Sequence, residues 1–424
     1  MTGAHEHPTV VSLTPLPLEA DSRAFRIARS LADLGLRSVV IEGRPSKSRF
    51  WGPEIEVRSP GGAQGLGDAD PRPHGMVNAL RSGRFGRLGE LALYAGFRSY
   101  DWWTHNYRIS RLLEPAQLYY LHSFELHRVV ARFAARSGAR IFYDAHDFYR
   151  AIEPIERRRS CDRTRVRPFL NKLENRLVAD ADEVVTVSDG VADLMQRAFG
   201  RQPVVIRNCH GARLDRAGTR DIRSALGLSA EHRLCVVVGN WKPGMAVALA
   251  IDAIALLPEH FHLAFVGRRY DAQAHSFRRH PAVARLHFGH HVEPVAIVPF
   301  IRSADVGLVL YEPCSENYRC ALPNGFFQTI AARLPLVRMP LSEIEAAIAG
   351  SAVGVCLERA EPRALARAIL RCTEDQKTFR RNATVLSQQL RWELEARRLQ
   401  RLVENVLGCS AQQSSVTLTA TADD

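Results

Sequence analysis

Short apolar strands alternate with helical segments along almost the whole chain, and this alternation constrains the fold more than any other feature. An apolar segment at residues 10–18 is followed by a helical pattern at 24–36 and a second apolar run at 37–43. Strand–helix–strand units of this kind place parallel strands in one sheet and helices on its faces. Pro15 and Pro17 interrupt the first segment, which predicts that its strand lies at the edge of the sheet.

The alternation restarts after a polar, glycine-containing connection at residues 209–232 and continues towards the C-terminus. Because 424 residues exceed one ordinary core, we predict two α/β domains, each a doubly wound, Rossmann-like sheet. The predicted limits are 1–208 for the N-terminal domain, 209–385 for the C-terminal domain, 386–408 for a closing terminal helix and 409–424 for a disordered tail.

The formal net charge is +12, and arginine carries almost all of it because the chain has only four lysines. A basic excess favours anionic partners such as nucleotide diphosphates, anionic lipid surfaces or nucleic acid. The arginines are dispersed rather than gathered in one stripe with aromatics, which argues against nucleic acid. The basic, aromatic stretch at 76–113 leaves two interpretations open: an amphipathic surface that docks on anionic lipid, or ordinary helices with Trp102 and Trp103 in the core.

The eight cysteines include no C-x-x-C pair, and several stand inside apolar runs. This usage is typical of a reducing compartment rather than of a disulfide framework. The N-terminus lacks a leader pattern, and no apolar run approaches the ~20 residues that a membrane span needs. We therefore expect a cytoplasmic protein, either soluble or in peripheral contact with the inner face of the membrane.

Polar side chains follow three predicted strands of the first half. They are Asp21 and Ser22 after the first strand, His122 and Glu125 after the strand that begins at Leu118, and Asp144, His146 and Asp147 after the next. The carboxyl ends of parallel strands meet at one edge, where such sheets bind ligands. A simpler interpretation stays open, namely that Asp21 or Ser22 only caps a helix. The composition also allows a metal site at the histidines, but their lack of i, i+4 spacing argues against it.

A second candidate site is the stretch at residues 315–337. Its polar first half ends in the turn residues Pro323, Asn324 and Gly325, and an apolar helix pattern follows at 326–332. A loop that delivers a helix N-terminus to a strand end is a common anion and ribose site in open α/β sheets.

This stretch resembles the nucleotide-sugar loop of family-four glycosyltransferases of the GT-B fold, in the form that reads roughly ALPNK-x-FEYMAAGLPVV. The segments around His122 and His146 resemble that family's H-A-H-D and YDAHE segments. The resemblance covers nearly the whole chain and implies a GT-B architecture with the donor nucleotide on the C-terminal domain. It also implies catalysis without a metal or other cofactor.

Three positions depart from the family pattern. Gln328 stands where a glutamate accepts hydrogen bonds from the ribose, Gly325 where a lysine usually follows Pro-Asn, and Met245 where a cation opens a helix. Lys242 and Arg268 are the substitute cations that we expect to hold the diphosphate together with the helix N-terminus at Asn324.

The resemblance assigns roles to the candidate residues. The catalytic candidates are His122 and His146, which would contact the sugar or acceptor, and Glu316, which would supply an acidic group on the sugar side. The substrate-binding candidates are Asp21, Ser22, Asp147, Gly239, Asn240, Lys242, Arg268, Asn324, Gly325 and Gln328.

Two functions follow from the sequence. The first is a retaining, metal-independent glycosyltransferase that moves a sugar from a nucleotide-diphosphate sugar to a glycan, lipid-linked or small-molecule acceptor. The second is a catalytically weakened glycosyltransferase-like protein that serves as a partner or glycan-binding subunit, because two cations expected at the phosphates, at positions 245 and 325, are missing.

Overall fold

The structure, a computed structural model, describes residues 8–60, 106–151, 171–215, 220–290 and 292–408. The predicted tail at 409–424 and most of the basic stretch at 76–113 lie outside these ranges. Two parallel sheets with helices packed on them account for the described residues, which confirms the predicted α/β class.

The first sheet has seven strands among the described residues, in the order β3-β2-β1-β4-β5-β6-β7. The strands are β1 Thr9–Thr14, β2 Arg37–Glu42, β3 Ile55–Arg58, β4 Leu118–Leu121, β5 Arg140–Ala145, β6 Glu183–Thr186 and β7 Val204–Val205. Because β1 pairs with both β2 and β4, the prediction of an edge strand is wrong. Pro15 and Pro17 follow the last residue of β1, so their missing N–H groups cost no ladder hydrogen bond.

The second sheet has six strands within the same described ranges, in the order β10-β9-β8-β11-β12-β13. The strands are β8 Arg233–Val238, β9 Phe261–Val266, β10 Leu286–His290, β11 Val306–Val309, β12 Leu336–Arg338 and β13 Gly354–Cys356. The strand order reverses between β8 and β11, as it does between β1 and β4 in the first sheet. Ligands of open α/β sheets bind at the carboxyl ends of strands beside such a reversal.

Helices connect the strands. They are α1 Ser22–Asp33, α2 His127–Ser137, α3 Asp189–Phe199, α4 Ile222–Leu226, α5 Val247–Ala255, α6 Asp271–Ser276, α7 Ile297–Ile301, α8 Glu316–Arg319, α9 Asn324–Ala331, α10 Ser342–Ile348, α11 Pro362–Glu374, α12 Gln376–Gln389 and α13 Trp392–Leu407. Residues 171–180 are also helical. None of the helices in the described ranges has the length and apolar character that crossing a bilayer requires.

Each sheet is buried on both faces. Along β1, Val11 and Leu13 join one apolar cluster, whereas Val10 joins another on the opposite face. In the second sheet, Val237 joins one apolar cluster and Val236 joins another on the opposite face. Neighbouring strand residues point to opposite faces, so continuous Val/Ile/Leu runs are what a sheet covered on both sides needs.

The C-terminal helix α13 returns to the first sheet. Its residues Trp392, Leu399 and Val403 pack in the cluster that contains Val10, and the Trp392 indole donates to Ser30 Oγ at 2.9 Å. The expectation of one helix from residue 386 is wrong, because α12 ends at Gln389 and α13 begins at Trp392. The break lets the backbone at residues 391 and 392 pair with His210, which directs α13 across to the first domain.

Candidate active site

The loop between β1 and α1 holds Asp21 at the carboxyl edge of the first sheet. Its carboxylate accepts from the backbone N–H of Ala24 at 3.0 Å, so it caps α1, and from Thr14 Oγ1 at 2.7 Å. Burial raises the pKa of Asp21, but the nearby His146 and His122 and the two hydrogen bonds lower it, and the net shift is downward. Asp21 is therefore a buried carboxylate beside the histidines as well as a helix cap. Ser22 Oγ accepts from Arg26 at 3.4 Å on the same helix.

Arg23 and Asp144 form a buried ion pair beneath this edge. The Arg23 Nε lies 2.8 Å from Asp144 Oδ2, and its Nη2 lies 2.8 Å from Oδ1. The remaining Nη1 donates to the carbonyl of Ile206 at 2.7 Å. Burial opposes ionisation of Asp144, but Arg23 and His146 hold the pKa of that carboxyl well below its usual range. Sequence reasoning did not select Arg23, because nothing in the chain marks which carboxylate it would meet.

His122 and His146 meet above the Asp144 carboxylate. His122 Nδ1 lies 3.1 Å from His146 Nε2 and 3.3 Å from Asp144 Oδ2, and His146 Nε2 lies 3.6 Å from the same oxygen. The His122 side chain is fully buried, whereas 24% of the His146 side chain is exposed. Burial lowers the pKa of His146, but Asp144 and Asp21 raise it, and the net shift is upward. His146 is thus the histidine that a ligand in the cleft can touch.

The N-terminus of α9 lies against the end of β8 in the second sheet. A β-carbon added at Gly325 would stand 2.4 Å from the carbonyl oxygen of Val238, which no real side chain tolerates. The family's lysine therefore has no room here. Gln328 follows in the same helix with 8% exposure, so its side chain is buried where the resemblance expects the ribose carboxylate.

Lys242 is the cation that lies beside the donor loop. Its Nζ lies 5.2 Å from the ring centre of Tyr311 and 5.4 Å from that of Tyr318. Tyr318 in turn donates to the carbonyl of Pro243 at 2.6 Å, which fixes the loop that carries the lysine. Met245 packs beside these residues and pairs through its backbone with Tyr311.

Gly239 and Asn240 directly follow β8, next to the end of β9. A β-carbon at Gly267 would lie 2.2 Å from the carbonyl of Gly239, and Asn240 Oδ1 accepts from the backbone N–H of Arg268 at 2.9 Å. The Arg268 guanidinium lies 3.3 Å from Glu19 of the first domain. This second expected cation therefore forms a link between the domains.

Two further hydrogen-bonded links join the domains at the site. Asn317 donates to Asp147 Oδ1 at 2.9 Å and accepts from the backbone N–H of Phe148 at 2.7 Å. Asn208 donates to Asn324 Oδ1 at 2.5 Å and itself accepts from Arg26. The sequence analysis did not select Asn317, Asn208 or Arg26. The polar character of residues 315–325 was a signal for Asn317 alone.

The structure brings the predicted site residues together in two groups that face each other. One group holds Asp21, Ser22, His122, His146 and Asp147 at the edge of the first sheet, and the other holds Gly239, Asn240, Lys242, Arg268, Asn324, Gly325 and Gln328 at the edge of the second. Glu316 begins α8 as an exposed residue directly before Asn317. The loop that contains α8 and leads into α9 contacts both groups.

Comparisons with known proteins identify this arrangement. Residues 20–209 match the model of the glycosyl transferase 4-like domain, and residues 232–375 match that of glycosyl transferases group 1. The chain belongs to the group 1 glycosyltransferase family. The first matched segment covers the first sheet of this glycosyltransferase from β2 onwards, the second covers the second sheet, and each contains one of the facing groups.

Solved structures show the same GT-B fold. Sucrose-phosphate synthase from Thermosynechococcus elongatus aligns with a TM-score of 0.66 at 14% identity, over 95% of this chain and 100% of that one. HepE of Anabaena, in complex with UDP-glucose, aligns with a TM-score of 0.61 at 17% identity, over 94% and 100%. Trehalose 6-phosphate synthase from Burkholderia multivorans aligns with a TM-score of 0.58 at 16% identity, over 94% and 99%. No curated protein sequence matches the chain.

Proposed function

We propose that this glycosyltransferase is a retaining, metal-independent enzyme that takes its sugar from a nucleotide-diphosphate sugar. The observation that carries the proposal is a pair of hydrogen bonds at Asn317, whose side chain donates to Asp147 and accepts from the backbone N–H of Phe148. They hold the donor loop of the second domain against the strand end that carries His146. A sugar bound at the α9 N-terminus would therefore lie next to a histidine of the acceptor side.

The donor would bind through groups that the second domain supplies. The N-terminus of α9 offers backbone N–H groups and a positive dipole end to a diphosphate. Lys242 supplies a cation, and Gln328 supplies an amide that accepts from ribose hydroxyls, less strongly than a carboxylate. The UDP-glucose complex of HepE supports a nucleotide sugar as the donor class.

The transfer would proceed without a metal because these groups stabilise the leaving diphosphate. The bond from the sugar C1 to the diphosphate oxygen breaks, and its electron pair leaves with the diphosphate. The acceptor hydroxyl oxygen bonds to C1 on the same face, and its proton passes to a phosphate oxygen. His146 would hold the sugar or acceptor hydroxyls in place.

The acceptor would be a glycan, a lipid-linked glycan or a small molecule, and the net charge of +12 supports an anionic membrane surface nearby.

A second candidate function has its own support. Gly325 leaves no room for the family's lysine, and Arg268 pairs with Glu19, so the donor site relies on fewer cations than the family pattern. A catalytically weakened relative that binds a glycan or a partner transferase would have a donor site with fewer cations.

Nucleotide release separates the two functions. The purified chain with EDTA should release UDP or GDP slowly from the matching nucleotide sugar, and faster with an acceptor present. Lys242→Ala should reduce this turnover at least ~10-fold through loss of leaving-group stabilisation, whereas Lys377→Ala, an exposed lysine far along the chain, should not. Nucleotide binding without turnover for any UDP- or GDP-sugar would favour the weakened relative.

A further inference from the structure

We propose that His122, Asp144 and His146 form a binding site for one divalent transition-metal ion of the zinc class. The group is drawn from two neighbouring strand ends, β4 and β5, and its three ligand atoms lie within 4.8 Å of one another. The site is distinct from any metal at the diphosphate, because all three residues belong to the first domain.

The spacing of the ligand atoms is close to that of zinc coordination, and the two histidine nitrogens are slightly nearer to each other than zinc would hold them. The three separations between His122 Nδ1, His146 Nε2 and Asp144 Oδ2 are 3.1, 3.3 and 3.6 Å. Tetrahedral zinc holds nitrogen and oxygen ligands at about 2.0–2.2 Å, which places neighbouring ligand atoms about 3.3–3.6 Å apart. Two imidazoles and one carboxylate are also a donor set that zinc accepts, with the fourth position open to water. Little rearrangement is needed to accept the ion.

A hydrogen bond between the two histidines explains only part of this geometry. It accounts for the separation of 3.1 Å between the ring nitrogens. The distances of 3.3 and 3.6 Å from Asp144 Oδ2 to those same two nitrogens are those of histidine–carboxylate contacts, which an ion bound between the three atoms would replace. Three atoms arranged around a common centre are what a bound ion requires.

The surroundings hold the carboxylate in place, and a second carboxylate offsets the positive charge of Arg23. Arg23 donates to both oxygens of Asp144, which orients the carboxylate as the outer partners of metal ligands usually do. Asp21 adds a second buried carboxylate, whose oxygens accept from Thr14 and from the backbone of Ala24 rather than from an arginine. The partly exposed ring of His146 gives an ion a path from the cleft.

Occupation of the site would have a consequence for activity that rests on the proposed function. His146 cannot ligate a metal through Nε2 and present that atom to a sugar at the same time. Bound zinc should therefore inhibit transfer, and EDTA should restore it. The catalytic reaction itself remains metal-independent.

The test uses the full chain after removal of metal with EDTA. Cobalt(II) titration should produce the intense visible bands of a four-coordinate ion at one equivalent, and zinc should abolish them. His146→Gln should weaken binding by more than about 100-fold, since losing a ligand should exceed the loss that outer-partner changes cause. The matched control is His262→Gln, because His262 and His287 form another close histidine pair at 3.0 Å in the second domain.

The outcomes are separable. Cobalt bands that survive in His146→Gln and vanish in His262→Gln would overturn the proposal, as would unchanged visible spectra in the wild type. Anomalous scattering at the zinc edge should place the ion between the three ligands in crystals of the wild type. This measurement does not depend on whether the His146→Gln variant folds. Zinc binding with no nucleotide binding would leave this site standing and remove the proposed function instead.

Discussion

Gly325 at the start of α9 lies against the carbonyl oxygen of Val238 at the end of β8, so close that a β-carbon would stand 2.4 Å from that oxygen. This contact brings the helix N-terminus directly onto the strand end. It also explains why the lysine of the family pattern is missing here. The donor loop has exchanged a cation for close packing of the helix on the sheet.

Restoring the lysine should therefore destabilise the protein. Gly325→Lys forces the helix away from Val238, and overpacking of this kind costs about 1–3 kcal/mol. Chemical denaturation of the variant and the wild type measures the difference. Gly52→Ala is the control, because the nearest atoms there belong to the flexible carboxylate of Glu54. Equal stability of Gly325→Lys and the wild type would contradict the contact.

Gln328→Glu should strengthen nucleotide binding. A carboxylate at this buried position would accept charge-assisted bonds from the ribose hydroxyls, which adds roughly 1 kcal/mol, or about fivefold in affinity. Calorimetric titration with UDP and GDP measures the change. The exposed Gln389→Glu carries the same change of charge and should have no effect. If Gln328→Glu also leaves the affinity unchanged, this position does not contact the ribose.

Removing Arg23 should be far more costly than removing a surface arginine of the same helix. Arg23→Ala leaves the Asp144 carboxylate buried without its partner, which costs about 3–5 kcal/mol. Arg29→Ala breaks partly exposed pairs with Asp33 and Glu54 and should cost about 0–1 kcal/mol. Urea denaturation of both variants gives the comparison. Similar losses in the two variants would show that the buried pair does not support the first sheet.

The stability of the first domain should fall as the pH rises through the weakly acidic range. Burial raises the pKa of Glu174 to about 7, although Tyr143 donates to its Oε1 at 2.9 Å. The folded state thus keeps a proton that the unfolded state releases above a pKa of about 4.5. Stability is fully present below that value and is lost as the pH rises towards 7, by at most about 3 kcal/mol.

Denaturation at a series of pH values tests this sign. Glu174→Gln keeps an uncharged acceptor for Tyr143 and should flatten the dependence between pH 4.5 and 7. A wild-type protein that becomes more stable across this range, with the variant unchanged, would contradict the buried, protonated carboxyl.

The sequence predicts the fold well because periodicity is local. Alternation of strands and helices indicates two parallel sheets, and the structure contains both of them. The edge position for β1 was wrong because a proline's effect depends on whether it falls inside the strand or just after it. Pro15 falls one residue beyond the end of β1.

The site was predictable only in part. His122 and His146 could be selected because both follow strands, and parallel strands bring their ends together. The partners that orient them could not. Arg23 meets Asp144 across 121 positions of the chain, and Arg268 meets Glu19 across 249. Such pairings depend on how the elements pack, and no spacing in the sequence records them.

The central claim is that the cleft binds a nucleotide-diphosphate sugar at the N-terminus of α9. The most direct measurement is the melting temperature of the metal-free full chain with millimolar UDP, GDP or their sugars. We predict that one nucleotide raises the melting temperature, since a ligand at 100 times its dissociation constant stabilises by about 2.7 kcal/mol, and that Lys242→Ala reduces this rise while Lys377→Ala does not. A folded chain whose melting temperature responds to none of these nucleotides would contradict the account.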